Sequence, residues 1–231
     1  MSEAAIPEQG GSGSSGGLLE LYFHPLSSYC QKVLVALYEN DTPFKPRLID
    51  LRNEASRAEL TAVWPIAKFP VLRDDAKDRI VPESSIIIEY LAQHYPGKTR
   101  LVPPDGDTAR QMRMRDRFYD LYVNESVSKI VGDRLRPKGQ EDPYGVAQAK
   151  ARLETACGMI DQDMGTKTWA MGDAFGMADC AAAPALFYTN LVMPLGDTHK
   201  ITAEYLDRLM RRPSFARVVK EAEPYLALFP K

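Results

Sequence analysis

The sequence predicts a two-domain protein in which an α/β domain with a mixed sheet precedes an all-α domain. Strand-like and helix-like segments alternate over residues 18–98 in the order β-α-β-α-β-β-α. Residues 99–107 contain two prolines and a glycine, which is typical of a linker, and no strand pattern follows in residues 108–231. This order predicts a four-stranded mixed sheet with helices on both faces, followed by a helical unit.

The first three predicted elements are strand 18–23, helix 31–39 and strand 44–49. Apolar and aromatic residues dominate the first strand, and His24-Pro25-Leu26 ends it. Ser27 and Ser28 are residue types that favour helix N-caps, so the helix is expected to start close to them. Apolar residues then recur at helical spacing.

The rest of the first domain is predicted as helix 52–63, strands 69–72 and 79–81, and helix 85–94. Trp64-Pro65 ends the first of these helices, because the residue before a proline disfavours helical backbone. Pro70 lies near the start of a strand, where strands tolerate proline. Pro82-Glu83-Ser84 opens the last helix, and Pro96-Gly97 ends it.

The second domain is predicted as a set of helices. Their ranges are 108–132, 144–164, 177–191, 203–210 and 214–221. The helix at 177–191 is apolar almost throughout, so it is expected to lie at the centre of the domain. Residues 167–175 are expected to form a loop.

Composition and charge exclude several classes of protein. The chain has 231 residues, with 29 basic and 31 acidic side chains and a net charge of −2, which gives no argument for a nucleic acid or membrane partner. No apolar run is long enough to span a bilayer. Three widely spaced cysteines and three scattered histidines predict neither a disulfide framework nor a metal site, and they fit a reducing, cytoplasmic location. Residues 1–17 are rich in glycine and serine, are expected to be a flexible extension, and lack the features of a signal peptide.

The first candidate site is Ser27-Ser28-Tyr29-Cys30, between the first strand and the first helix. Its spacing matches a C-x-x-C redox motif with serine in place of the first cysteine, which removes the attacking sulfur. A hydroxyl there would donate to the thiolate of another molecule, and a helix start also stabilises a thiolate. The alternative is that the two serines only cap the helix. Cys30 is either a reactive thiol or an inert core residue.

Two further motifs could hold an extended ligand. In Lys68-Phe69-Pro70-Val71, a cis proline would turn the Phe69 backbone groups towards a peptide, and an ordinary strand start is the alternative. Glu83 and Ser84 stand at a helix start, where a backbone N–H and a hydroxyl could hold a carboxylate. There Glu83 could pair with a ligand ammonium. The alternative is a simple cap with an acidic first turn.

Four segments taken together resemble the glutathione transferase superfamily. They are Leu21–Ser27 with Lys32-Val33, Trp64–Leu72, Glu83–Leu91 and Met171–Asp179. The resemblance runs from about Leu18 to Phe229. It implies a thioredoxin-like domain at residues 18–98 and an all-helical domain at 108–231.

The resemblance also implies the site residues. Ser27 occupies the place of the hydroxyl that stabilises the glutathione thiolate in serine-type classes, with Ser28 and Cys30 as alternatives. The implied glutathione-binding residues are Lys68, Phe69, Pro70, Glu83 and Ser84. The wall of a second-substrate pocket is expected from Tyr29, Phe118, Tyr119, Tyr122 and the tail near Phe229.

Three residues depart from the family pattern. Trp64 stands where the family often has asparagine, and Phe69 where it has valine or isoleucine. A backbone contact at Phe69 does not depend on its side chain. Gly176 stands where a serine or threonine usually starts a capping box, so one side-chain hydrogen bond is expected to be missing.

The predicted function is that of a bacterial-style, serine-type glutathione transferase that conjugates the glutathione thiolate to an apolar electrophile in detoxification. By resemblance it is a homodimer with glutathione as co-substrate and no metal. One alternative is a glutathione-dependent thiol-disulfide oxidoreductase that uses Cys30. Another is a non-catalytic glutathione- or ligand-binding protein. The arginines at 110, 113, 115 and 117 are expected on a solvated face or a subunit contact.

Overall fold

The computed structural model describes residues 19–196 and 198–230. These residues form a mixed four-stranded sheet with flanking helices, followed by a helical unit, which confirms the predicted fold class. The predicted extension at residues 1–17 lies outside the described residues.

The sheet brings three chain segments to one edge. Its strands are β1 (Leu19–Phe23), β2 (Lys45–Leu48), β3 (Val71–Asp74) and β4 (Arg79–Pro82), in the order β2-β1-β3-β4. The β1 and β2 strands run parallel, and the other neighbours are antiparallel. Because Val71 pairs with both Tyr22 and Pro82, the loop after β1 lies beside the residues before β3 and after β4.

The helices follow the predicted order with shifted bounds. They are α1 (Ser28–Glu39), α2 (Glu54–Val63), α3 (Ser84–His94), α4 (Gly106–Phe118), α5 (Glu125–Arg134), α6 (Pro143–Met164), α7 (Met177–Val192), α8 (Lys200–Met210) and α9 (Pro213–Ala222). The single helix expected at 108–132 is two helices joined by a π-helical turn at Tyr119–Asn124. A 3₁₀ turn at Glu223–Leu228, which the sequence did not predict, follows α9.

Helix α1 is the centre of the molecule. Every residue from Cys30 to Leu37 is buried, because α1 packs against α3 in the first unit and against α7 and α9 in the helical unit. Cys157 and Cys180 are buried in the same continuous core. Within the described part of the chain, no helix has both the length and the apolar character needed to cross a bilayer.

The start of α7 is fixed by one buried carboxylate. Gly176 occupies the N-cap position and offers no side chain, but Asp179 accepts hydrogen bonds from three donors. These are the N–H of Gly176 at 2.9 Å, the N–H of Ala170 at 2.8 Å and the hydroxyl of Tyr205 at 2.6 Å. Burial raises the pKa of Asp179 to about 6. The missing capping hydroxyl is therefore offset by contacts that reach across the helical unit.

Candidate functional site

Ser27 ends the loop after β1 and caps α1. Its backbone is extended (φ −77°, ψ 117°), and its Oγ accepts a hydrogen bond from the N–H of Cys30 at 3.3 Å. Ser27 therefore caps the helix, as the alternative interpretation predicted, but capping uses only the acceptor capacity of its hydroxyl. A hydroxyl that accepts one bond still carries its own proton. Ser27 is only half-buried, so its hydroxyl can turn towards a ligand at the start of α1 and donate to it.

The loop that carries Ser27 is held from both domains. Gln31 of α1 donates its side-chain amide to the carbonyl of Pro25 at 2.7 Å, and also to the Tyr188 hydroxyl at 3.0 Å. Tyr188 of α7 donates in turn to the carbonyl of Leu26 at 2.9 Å. Burial lowers the pKa of His24, whose Nδ1 accepts from the N–H of Leu26. These contacts fix the loop before any ligand binds.

Phe69 and Pro70 lie beside this loop. The peptide bond between them is cis, and the Phe69 ring stacks on the His24 ring with centroids 6.2 Å apart. The β3 strand begins only at Val71. Among the described residues, no backbone hydrogen bond outside the regular elements involves the N–H or C=O of Phe69. Both groups are therefore available to an extended peptide.

The start of α3 completes the same edge. Glu83 adopts a positive φ of 70°, and it makes no side-chain hydrogen bond to the helix, whereas Ser27 and Asp105 cap α1 and α4. Unpaired N–H groups at a helix start attract a carboxylate. Ser84 is buried directly behind them, and Lys68 is exposed nearby in the chain before β3.

A buried ionic cluster that the sequence did not predict joins α1 to α3 and α4. Lys32 lies 2.6 Å from a carboxylate oxygen of Asp116 and 2.8 Å from one of Asp120, and it is 1% exposed. Its ammonium also donates to the hydroxyl of Ser85, which donates to Asp116. Burial raises the pKa of Asp120, and repulsion from the Asp116 carboxylate adds to the rise, whereas the Lys32 ammonium opposes it. The cluster fixes the start of α3 relative to α1.

A cavity of about 200 Å³ opens between the domains next to Ser28. Its walls come from the loop before α1, from α5 and the residue before it, from α7 and from the C-terminal tail. The lining residues are Leu26, Ser28, Asn124, Val127, Ser128, Val131, Tyr188, Leu228, Phe229 and Pro230. The tail is anchored because Phe229 stacks on Tyr188 with centroids 5.4 Å apart, and Arg134 donates to the carbonyl of Pro230.

The residues expected to wall this cavity are placed differently. Tyr119 is 3% exposed in the helical core, and burial raises its pKa beside Tyr205 and Asp179. Phe118 packs against Tyr119, and Tyr122 is 51% exposed, so neither lines the cavity. Tyr29 is half-buried with its hydroxyl close to Asn124. Of the expected wall, the structure brings only the tail near Phe229 to the cavity.

Cys30 is closed off from the site. Its side chain is fully buried, and burial raises the pKa of its thiol to about 12, an effect that the bond from Ser27 only partly offsets. At neutral pH the thiol is therefore protonated, and thiols react as thiolates. Cys157 and Cys180 are also buried and free.

We expect all three cysteines to be unreactive in the folded protein. Native protein at pH 7.5 should release no chromophore from Ellman's reagent, and protein in 6 M guanidinium should titrate all three thiols, about 3 per chain. Mass spectrometry after iodoacetamide treatment serves as an independent readout. Rapid labelling of Cys30 in the native protein would contradict its burial.

Comparisons with known proteins match both halves of the chain. The domain described as "Glutathione S-transferase, N-terminal domain" matches residues 21–99, and "Glutathione S-transferase, C-terminal domain" matches residues 143–221. Glutathione S-transferase GstB of Escherichia coli (strain K12) is 24% identical over 203 residues, which are 87% of this chain and 98% of that protein.

Two other similar proteins extend the comparison. A stringent starvation protein A homologue from Haemophilus influenzae is 25% identical over 213 residues, which are 91% of this chain and 94% of that protein. The crystal structure of a glutathione S-transferase from Methylobacterium radiotolerans, in complex with glutathione sulfonate, superposes with a TM-score of 0.77 at 28% identity. The superposition covers 87% of this chain and 94% of that one.

Proposed function

Since this chain belongs to the cytosolic-type glutathione S-transferase superfamily, we propose that it binds glutathione and transfers its thiolate to a small apolar electrophile. The observation that carries the proposal is the half-buried Ser27 hydroxyl at the start of α1, which accepts from the N–H of Cys30 and carries a proton that it can donate to a thiolate. Ser27 stabilises the thiolate and is not itself the nucleophile.

The sheet edge offers a partner for each part of glutathione. The cysteinyl backbone pairs with the free N–H and C=O of Phe69, beside cis-Pro70, as an added strand would. The γ-glutamyl carboxylate takes the uncapped start of α3 at Ser84, and Glu83 pairs with its ammonium. Lys68 approaches the glycine carboxylate. This arrangement directs the thiol towards Ser27.

The chemical step needs no further group on the protein. The thiol first loses its proton to solvent, and the hydrogen bond from Ser27 stabilises the resulting thiolate. The sulfur then forms a bond to the electrophilic carbon, whose displaced electron pair leaves with a departing anion or moves onto a conjugated acceptor. The protein contributes ionisation of the sulfur and its placement beside the cavity at Ser28.

Replacing Ser84 with alanine should weaken glutathione binding about 10-fold, since one hydrogen bond to a charged carboxylate is lost. Isothermal titration calorimetry of the intact protein gives the dissociation constant directly. The matched control is Ser128→Ala, which alters an exposed serine on the cavity wall and should leave the glutathione affinity unchanged. Wild-type protein that binds no glutathione would overturn every glutathione-dependent function proposed for this chain.

A non-catalytic glutathione- or ligand-binding protein is the second candidate. One of the similar proteins is named a stringent starvation protein and not a transferase. Glutathione binding without turnover of any electrophile would favour it. The thiol-disulfide alternative that uses Cys30 is disfavoured, since that thiol is fully buried with a pKa of about 12.

We extend the proposal to a homodimer in a reducing, cytoplasmic compartment. A groove of about 430 Å³ between α3 and α4 is lined by four apolar or aromatic residues and three polar ones. They are Ile86, Tyr90, Ala92 and Val102, with Glu89, Gln93 and Arg113. Ile86 is 47% exposed, and the ion pair between Arg113 and Glu89 spans the groove. A second copy of the chain would cover this surface. The three free cysteines agree with a reducing compartment.

A further inference from the structure

The turn before α1 leaves two carbonyl groups without a backbone partner. It spans residues 24–27 and is closed by the N–H of Ser27, which donates across it at 3.0 Å. Pro25 and Leu26 occupy its centre. In the part of the chain that the structure describes, no backbone N–H outside the regular elements donates to their carbonyls. The position of Ser27 therefore depends on the side chains that hold these two groups.

Two side chains, one from each domain, hold these carbonyls. Gln31 of α1 donates to the carbonyl of Pro25 at 2.7 Å. Tyr188 of α7 donates to the carbonyl of Leu26, the residue before Ser27, at 2.9 Å. The two side chains are themselves linked, because the Gln31 amide also donates to the Tyr188 hydroxyl at 3.0 Å. Ser27 thus directly follows a carbonyl that the helical domain holds.

This arrangement leaves one buried polar atom unsatisfied. Gln31 is fully buried, and its side-chain oxygen, Oε1, has no hydrogen-bond partner among the described residues. A buried acceptor without a partner lowers the stability of the fold. A polar side chain that is present in spite of such a loss is typical of a functional site. The amide of Gln31 therefore points to a role in holding the turn together with Tyr188.

The ring of Tyr188 is packed so that its hydroxyl has one direction. It is 3% exposed, with Phe229 of the tail stacked on it and Phe187 edge-on at a centroid distance of 5.2 Å. Burial raises the pKa of Tyr188, so the hydroxyl stays protonated at neutral pH. It donates its single proton to Leu26 and accepts from Gln31. Tyr188 lines the cavity as well, and it presents its ring to an occupant there.

We propose that Tyr188 is a positioning residue for Ser27, which holds the turn before α1 so that the Ser27 hydroxyl points at the glutathione sulfur. The assignment rests on the proposed function, because it requires glutathione bound at Ser27. A hydrogen bond weakens steeply when its angle departs from the optimum. Without the bond from Tyr188 the turn can move, and the same serine then stabilises the thiolate less. Tyr188 acts through Ser27 and does not touch the sulfur.

Tyr188→Phe tests the assignment, because it removes the hydroxyl and keeps the stacked ring. The pKa of bound glutathione, measured without an electrophile by the ultraviolet absorbance of its thiolate, should rise by about one pH unit. The loss of kcat/KM for benzyl bromide should reach about 10-fold below that pKa and shrink above it, since one pH unit is a tenfold change in the thiolate fraction. KM for glutathione should change less than about threefold, because Phe69 and Ser84 still bind the tripeptide.

A double-variant cycle shows whether Tyr188 acts through Ser27. In a Ser27→Gly background the hydroxyl is absent, so adding Tyr188→Phe should change the pKa of bound glutathione by less than about 0.3 pH units. An equal rise in both backgrounds would mean that Tyr188 acts on the sulfur directly, which overturns the assignment. Gln31→Met, a second variant that removes the amide at similar length, should also raise this pKa. The wild-type pKa in both Tyr188→Phe and Gln31→Met would overturn the assignment as well.

Tyr205→Phe is the matched control for a general loss of stability. Tyr205 is also a buried tyrosine of the helical domain, and its hydroxyl donates to Asp179 at the start of α7 instead of to the turn. This variant should lower the melting temperature at least as much as Tyr188→Phe does, but leave the pKa of bound glutathione unchanged. A rise of equal size in Tyr205→Phe would assign the effect to lost stability and overturn the positioning role.

Failure of this inference is distinguishable from failure of the proposed function. Wild-type protein that binds no glutathione, or binds it with a thiol pKa near the free value of about 8.5, overturns thiolate stabilisation by Ser27 and this assignment with it. A pKa that is lowered equally in wild type and Tyr188→Phe leaves the proposed function standing and overturns the positioning role. A Tyr188→Phe variant whose sole defect is a higher KM for benzyl bromide does the same, because Tyr188 then acts as a wall of the cavity.

Discussion

Replacing Ser27 with glycine is expected to lower kcat/KM for glutathione conjugation at pH 7 by about 100- to 1,000-fold, the usual effect of removing one donor to a developing or stabilised anion. The energetics support this size. A thiol pKa lowered by two units requires about 2.7 kcal/mol. A hydrogen bond to a charged group supplies roughly 1.5–3 kcal/mol, and a helix start adds roughly 0.3–1 kcal/mol.

Glycine is the right replacement because it separates catalysis from capping. Ser27 caps α1 through the N–H of Cys30, and alanine at an N-cap costs about 1 kcal/mol of stability, whereas glycine costs a few tenths. A loss of activity in Ser27→Gly therefore reflects the missing donor. Urea unfolding of the variant, compared with wild type, checks that the fold is retained.

The pH dependence of kcat/KM distinguishes stabilisation of the thiolate from a purely structural role of Ser27, because a structural role would not shift it. Without the donor, the pKa of bound glutathione should rise towards the value of about 8.5 for a free thiol. The defect of Ser27→Gly should therefore shrink as the pH rises from 7 to 9. Ser28→Ala should leave the profile in place. If Ser28→Ala lowers kcat/KM more than Ser27→Gly does and shifts its pH dependence, Ser28 is the residue that stabilises the thiolate. A Ser27→Gly variant that stays active with an unshifted pH dependence would contradict the assignment.

Local sequence signals predicted the positions of the candidate site residues where these coincide with the ends of regular elements. Ser27, Phe69 and Glu83 each follow or precede a strand, so the topology alone brings them together at the sheet edge. The cis bond before Pro70 and the uncapped start of α3 agree with the motifs that suggested them. None of these features depends on contacts between residues far apart in sequence.

The wall of the cavity beside Ser28 was not predictable in the same way. A face drawn at a regular helical period assumes an unbroken α-helix, and the π turn at Tyr119–Asn124 inserts wider turns. The turn rotates the face of the following helix, so Val127 and Val131 line the cavity in place of Phe118 and Tyr122. A polar residue such as Asn124 gives no periodic signal at all.

The buried ionic cluster around Lys32 was not predictable for a second reason. Lys32 meets Asp116 and Asp120 across three helices, and in the sequence these acids appear only as charges interspersed among arginines. Arg110 pairs with Asp107 in the same turn, whereas Arg113 pairs with Glu89 of α3 and Arg115 with Asp163 of α6. Which charge is buried depends on the packing of α1, and a single sequence carries no direct record of that packing.

Replacing Asp179 with alanine is expected to lower the free energy of unfolding by about 3–5 kcal/mol. The substitution leaves the N–H groups of Ala170 and Gly176 and the hydroxyl of Tyr205 buried without an acceptor, and each unsatisfied donor costs about 1–3 kcal/mol. Chemical denaturation followed by circular dichroism measures the loss. Asp173→Ala, an exposed aspartate six residues earlier in the chain, should change stability by no more than about 0.5 kcal/mol.

The Asp179→Asn variant tests the same contacts through pH. Asparagine keeps the oxygen that accepts from Ala170 and Tyr205 but turns an NH₂ towards the N–H of Gly176, so its loss should be smaller than that of alanine. Because burial raises the pKa of Asp179 to about 6, above the ordinary value of 3.8, the folded state binds a proton more tightly than the unfolded state. The wild-type advantage over Asp179→Asn should therefore be greatest below about pH 4 and decline as the pH rises through 6. An advantage that grows over this range would mean that the three donors outweigh burial and hold the carboxylate charged.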